Sequence, residues 1–264
     1  MEKVYRIIRF TSLFGVILIL LVLIVRIFVF DRFTIKGDSM LPTYCSGDKI
    51  WVNKLLMGAR LYLRYDFESP ELKSFRMPGL SKLNIGDIAV FNAPYGLDRE
   101  RIEFRINLVY AKRCLGRPGD TIGIKDGINY NTSINHIIGS LPNQLQLRNS
   151  PDSLIPDYVL AAYPYSYDFN WTIKELGPLL VPYRGMKIKF DMCSAVLYAH
   201  CIEYETGYKP LLNDGRWYLG GEEIVNYTFK NNYYYFIGDN IFDSKDSRYF
   251  GFVPEDYIIG IVVN

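Results

Sequence analysis

Residues 10–30 read FTSLFGVILILLVLIVRIFVF, with Arg26 as the one charge among them. Nothing else in the chain constrains its fold as strongly. As a helix, a run of this length rises about 30 Å, one hydrocarbon thickness. Arg26 lies near the end of the run, where its guanidinium reaches the headgroups. Lys3, Arg6 and Arg9 precede the run, so the short N-terminus is expected on the cytoplasmic side. No second run of this kind occurs later, so the domain after it is expected on the far side. A cleavable signal peptide is the competing explanation. The run is too long for one, and Asp31-Arg32-Phe33-Thr34-Ile35 offers no small-x-small cleavage site. The expectation is a cytoplasmic N-terminus at 1–9 and a transmembrane anchor at 10–30.

Beyond the anchor the chain reads as a β domain. It holds 22 Tyr and 16 Phe, residue types that favour strands. A formal net charge of +2 provides no broad field for nucleic acid, which is not expected as a partner. Cysteine and histidine spacing gives no metal set, and no cofactor is expected. Strands are expected at Lys49–Lys54, Ile88–Phe91, Leu108–Leu115 and in the run ending at Ile237. Residues 55–83, punctuated by Pro70 and Pro78, fit a loop or a membrane-facing flap, and 95–106 read as a solvated connector. Between 121 and 232, strand-like runs at 186–190, 195–205, 217–219 and 224–229 alternate with Gly, Asn and Pro breaks. Cys193 and Cys201 flank one such segment; a bridge between them and two buried thiols are both open. Cys45 and Cys114 read as core or near-site residues.

The chemistry is expected to centre on Gly37-Asp38-Ser39-Met40-Leu41-Pro42-Thr43. The turn-prone Gly37-Asp38 pair presents a serine, and Pro42 stiffens the exit. Taken alone, such a serine is an ordinary turn residue bonded to nearby backbone. As a nucleophile it needs a base. The two histidines, His136 and His200, sit in no triad-like setting, which leaves lysine, with Lys112 of Tyr110-Ala111-Lys112-Arg113-Cys114 as the choice. Strand alternation puts Tyr110, Lys112 and Cys114 on one face and Val109, Ala111, Arg113 and Leu115 on the other. Lys112 can thus lose solvent between apolar neighbours. A free lysine titrates near ~10.4 and must fall to about 7–8 to act as a base, which burial alone can achieve. The loop carrying Asp239, Ser244, Asp246 and Arg248 is either a solvated turn or a scaffold of paired charges.

Four stretches in order behind the anchor resemble the type I signal peptidases, the bacterial Ser/Lys leader peptidases. They are Ser39–Thr43; Gly86-Asp87-Ile88-Ala89-Val90-Phe91; Lys112-Arg113 with Gly116-Arg117-Pro118-Gly119-Asp120; and Gly238-Asp239-Asn240 through Ser244, Asp246-Ser247-Arg248 and Gly251. The resemblance implies a mostly β fold: an antiparallel catalytic core at 31–125 and 233–264, interrupted by a large inserted accessory region at 126–232. It implies Ser39 as nucleophile, Lys112 as general base and Ser244 as the hydroxyl that orients the lysine. Asp239, Arg113, Asp246 and Arg248 match supporting charges. The backbone N–H of Ser39, with help from Gly37, matches the oxyanion hole. Gly37 stands where some members carry a serine hydroxyl, and Ile241 stands where many carry arginine. Lys112 separates the chain from the endoplasmic-reticulum relatives, which use histidine. Phe33, Ile35, Met40, Val90, Tyr110 and Ala111 match pocket walls for alanine-sized side chains at the first and third positions before the cut.

The implied activity is removal of signal peptides from secreted precursors at the outer face of the bacterial cytoplasmic (inner) membrane. The implied partners are signal-peptide-bearing precursors, membrane lipid and the secretion machinery. Two rivals compete. A self-cleaving regulator would share the chemistry but carry a DNA-binding module, and none is readable. A non-catalytic, membrane-tethered β domain that binds partner proteins explains the anchor and leaves Ser39 and Lys112 as coincidence.

Overall fold

The computed structural model describes residues 2–63, 72–95 and 101–263. The apolar run forms α1 (Glu2–Phe28), which begins well before residue 10 and takes Lys3, Arg6 and Arg9 into its first turns. None of its residues is buried, as suits a helix meant for lipid. Strand β1 (Phe30–Thr34) starts two residues later. Lys54 locks the junction: its Nζ donates to Arg26 O at 3.0 Å and pairs with Asp31 at 2.9 Å. The anchor therefore enters the domain without a slack linker.

Beyond β1 come β2 (Lys49–Asn53), β3 (Arg60–Tyr62), β4 (Ser74–Arg76), β5 (Ile88–Asn92) and β6 (Val109–Gly116). Next are β7 (Thr121–Lys125), β8 (Ile128–Asn131), α2 (Leu141–Asn149), α3 (Asp157–Leu160), β9 (Leu176–Leu180) and β10 (Lys187–Lys189). They are followed by α4 (Met192–Leu197), α5 (Ala199–Thr206), β11 (Leu211–Asn213), β12 (Arg216–Leu219), β13 (Glu222–Glu223) and β14 (Asn226–Thr228). The chain closes through β15 (Tyr233–Ile237), α6 (Ser247–Phe250), β16 (Val253–Pro254) and β17 (Ile258–Val263).

The main sheet has seven strands in the order β1-β2-β17-β5-β6-β15-β16, each paired antiparallel with its neighbours. The last strand in sequence thus lies between β2 and β5, and β15 closes on β6. All five residues of β5 and of β15 are buried, so both read as continuous apolar runs. Strand β7, expected to end the first part of the core, pairs instead with β8 and β9. One continuous core still spans both regions. Phe91 stacks on Phe236 at 4.5 Å, and Tyr198 of the inserted region packs on Phe252 at 5.8 Å.

Three local expectations fail, each for a physical reason. Residues 195–205 are helical, not strand: Asp191 and Ser194 form a capping box that starts α4, and Gly207 ends α5 in the left-handed region. The loop at 55–83 contains the β3–β4 pair. No apolar alternation announces it, because it is held by guanidinium bonds: Arg76 donates to the carbonyls of Glu255, Asp256 and Ile258, and Arg60 to Asn92. The connector at 95–106 is not wholly solvated, since Ile102, Glu103 and Phe104 are buried. Pro70 and residues 96–100 lie outside the described residues. All four cysteines are free thiols; Cys45 and Cys193 are exposed, Cys114 and Cys201 buried.

Candidate active site

Ser39 sits on a tight turn between β1 and β2. Gly37 enters it at φ +75, a conformation that a side chain would strain. Leu41 N donates to Asp38 O at 3.0 Å, and Tyr44 N to Met40 O at 3.0 Å, closing the turn on itself. The far loop then grips it: Asn240 donates through its backbone N–H to Ser39 O and through its amide to Asp38 O, both at 3.1 Å. Gly238 packs so closely there that an added Cβ would collide with the Ser39 carbonyl and the Ser244 side chain.

Lys112 reaches this turn from the middle of β6. Its Nζ lies 2.5 Å from Ser39 Oγ and 3.2 Å from Ala111 O. It is 3% exposed and stands 5.1 Å from the centre of the Tyr110 ring. Burial drives its pKa down to about 8, against the opposing pull of Asp246, and the Arg248 charge adds to the depression. An amine with this pKa is without its extra proton in about a tenth of molecules at pH 7 and about half at pH 8, and in that form it can accept one from the serine.

Two charge clusters frame the pair. In one, Arg113 forks onto Asp239 at 2.8 and 2.6 Å, donates to Gly86 O at 2.8 Å, and shares Asp239 with the Thr43 hydroxyl. This ties β6, the serine turn and the 238–240 loop together. In the other, Asp246 accepts from Gly238 N at 2.8 Å, Ser244 Oγ at 2.7 Å and Arg248 at 2.8 and 2.5 Å. Burial pushes the Asp246 carboxyl up, but the Arg248 charge and these hydrogen bonds outweigh it and hold it below the usual range. Both Asp246 and Arg248 are almost fully buried, which is tolerable only for a pair so completely bonded.

A cleft of about 620 Å³ opens in front of Ser39 and Lys112. Phe33, Ile35, Met40, Val90, Tyr110 and Ala111 all line it. The structure thus brings the expected nucleophile, base and pocket residues to one place. The link it does not make among the described residues is a hydrogen bond from Ser244 to Lys112; the Ser244 hydroxyl donates to Asp246 instead. His136 and His200 take no part in the cleft. One further residue escaped the sequence reading. Asn143, on α2, donates through Nδ2 to Leu41 O at 3.1 Å and to Asp239 O at 2.7 Å, clamping the serine turn from the inserted region. No local pattern marks that asparagine, because its partners are about a hundred residues away on either side of it in sequence.

A family model described as signal peptidase, peptidase S26, matches residues 7–136 and 212–264. Signal peptidase I of Buchnera aphidicola subsp. Schizaphis graminum is 28% identical over 250 residues, covering 91% of this chain and 69% of that protein. Its counterpart from subsp. Baizongia pistaciae is 29% identical over 261 residues, covering 96% of this chain and 74% of that protein. Among solved structures, a signal peptidase I from Enterococcus faecalis covers 70% of this chain and 100% of that one, with a TM-score of 0.33 and 20% identity.

Proposed function

The chain belongs to the peptidase S26 family of signal peptidases, and from that premise we propose that it cuts signal peptides from precursor proteins with Ser39 as nucleophile and Lys112 as general base. The observation that carries this reading is the 2.5 Å approach of Lys112 Nζ, on a buried side chain, to Ser39 Oγ.

The uncharged Lys112 amine takes the Ser39 proton as Oγ attacks the scissile carbonyl. The backbone N–H groups of the Gly37–Ser39 turn face the oxyanion that forms. As the tetrahedral intermediate collapses, the protonated amine passes its proton to the leaving nitrogen, and the mature protein departs. Lys112, neutral again, deprotonates a water that attacks the ester; as the bond from the acyl carbon to Oγ breaks, the amine returns that proton to Ser39, and the signal peptide leaves with a new carboxylate. Asp246 and Arg248 act by position: they hold the 238–248 loop against the serine turn. Ser244 supports the amine indirectly: its hydroxyl donates to Asp246, whose negative charge acts on Lys112.

The substrate lies extended along β6, with alanine-sized side chains against Val90, Ile35 and Ala111. The anchor puts the cut beside the bilayer, since about nine residues from the end of the apolar run span at most ~32 Å. Lys3, Arg6 and Arg9 place the N-terminus in the cytoplasm and the catalytic domain outside the cytoplasmic membrane, where precursors emerge from the secretion machinery. The test is incubation of the detergent-solubilised chain with a precursor bearing a small-x-small site, followed by mass measurement of the products. One cut after the second small residue, absent with Ser39→Ala, is the expected result. An uncut precursor together with a Ser39 that resists an acylating probe would favour a non-catalytic tethered domain.

A further inference from the structure

A second cavity, of about 510 Å³, lies behind the 243–245 loop and takes no part in the steps above. Tyr95, Tyr163, His200, Tyr249 and Phe250 form much of its wall. It adjoins the catalytic cleft. Asp243 and Lys245 line both, and the Tyr95 hydroxyl on its wall is hydrogen-bonded to the Tyr110 hydroxyl in the cleft.

The sheet dictates which substrate side chain meets it. Val90 is paired with Ala111, so both point to the face that carries Ile35 and Ile50. Phe91 is paired with Tyr110 and Ala89 with Lys112, so these point to the opposite face. Strand β15 pairs with β6 only from Arg113 to Gly116. Among the described residues, the edge at 109–112 therefore has no strand on that side and is free to receive a peptide. A peptide added there alternates as β6 does. If the first and third residues before the cut enter the Val90–Ala111 side, the second turns to Tyr110 and the cavity beyond it.

We propose that this aromatic cavity is a selectivity subsite that takes a bulky, ring-bearing side chain at the second position before the cut. The inference rests on the peptidase reading of Ser39 and Lys112. Ring edges and faces from several directions suit another aromatic group, and its burial favours it over alanine. The subsite thus imposes a small-large-small pattern, where the cleft alone would ask only for small-x-small.

The experiment uses three peptides with one small-x-small site: alanine at the second position before the cut, phenylalanine there, or phenylalanine at the first position after the cut. Wild type is compared with a Tyr158→Ala/Tyr165→Asn variant. Both residues line the cavity at exposed positions, and asparagine tolerates the φ of +58 at 165. In wild type, phenylalanine at the second position raises kcat/KM about tenfold or more over alanine, mainly through KM. In the variant that ratio falls towards one; because it is a ratio within one preparation, losses of active protein cancel. A ratio near one in wild type, an unchanged ratio in the variant, or a preference located after the cut overturns the subsite. Failure to cut the alanine peptide at all would instead sink the peptidase reading itself.

Discussion

Around Lys112 the main sheet buries charges in bonded sets, with Asp239 on Arg113 and Asp246 on Arg248. Residues 126–232 gather rings around one carboxylate: Glu205 accepts from the hydroxyl of Tyr227 at 2.7 Å, from that of Tyr233 at the start of β15 at 2.9 Å, and from two backbone N–H groups. The family model matches the first region and skips residues 137–211 of the second. The difference lies in what each region must fix. A catalytic amine needs its neighbours placed to a fraction of an ångström, and paired charges enforce that. The inserted region reaches the site through few bonds, chiefly Asn143 and the Tyr163 N–H, which donates to Arg248 O at 2.7 Å. Damage to the sheet should therefore abolish function, and damage to the insert should tune it.

The largest effect is expected from Lys112→Met, a fall in kcat/KM of about ten-thousand-fold in the precursor-cleavage assay. The same variant should be more stable than wild type. The lysine pKa falls from 10.5 to about 8 on folding, so between those values the unfolded chain holds more protons and wild-type stability climbs with pH. Below about 8 the full penalty of about 3 kcal/mol applies. Urea unfolding should show Lys112→Met ahead at pH 7 and the gap closing near pH 10; equal gaps at both would break the account of a buried amine.

Asp246→Ala comes next. It strands Arg248 in the core and removes the partner of Gly238 N and Ser244, so thermal unfolding should report a loss of about 3–5 kcal/mol together with lost activity. Normal stability would mean that the pair is not what holds the loop. The smallest effect is expected from Asn143→Ala, the clamp from the insert. A stability change of about 1 kcal/mol and a kcat reduced by about tenfold, with KM little changed, would fit its place on the serine turn. A loss as large as that of Lys112→Met would erase the contrast between the two regions.

How much of the molecule is legible in its sequence divides along the same line. Strand periods place β5, β6 and β15 well, because apolar runs bounded by Gly-Asp turns leave a local trace. Ser39 and Lys112 lie 73 residues apart, and no periodicity joins them; the resemblance of four ordered stretches supplies that link. Helices α4 and α5 are hidden by Val196, Tyr198, Ile202 and Tyr204, residue types that suggest strand, although the Asp191–Ser194 cap and Gly207 mark the helical segment. The β3–β4 pair is hidden because arginine-to-carbonyl bonds carry no sequence period. Asn143 and the cavity behind the 243–245 loop depend on contacts between distant segments, which only the folded chain displays.

The central claim is that a desolvated, uncharged amine at 112 activates Ser39. Its most direct measurement is the pH dependence of kcat/KM from pH 6 to pH 10, with a precursor peptide that does not titrate in that range. A tenfold rise per pH unit, levelling near pH 8, is the outcome required by the lowered lysine pKa. A profile flat across that range would contradict it.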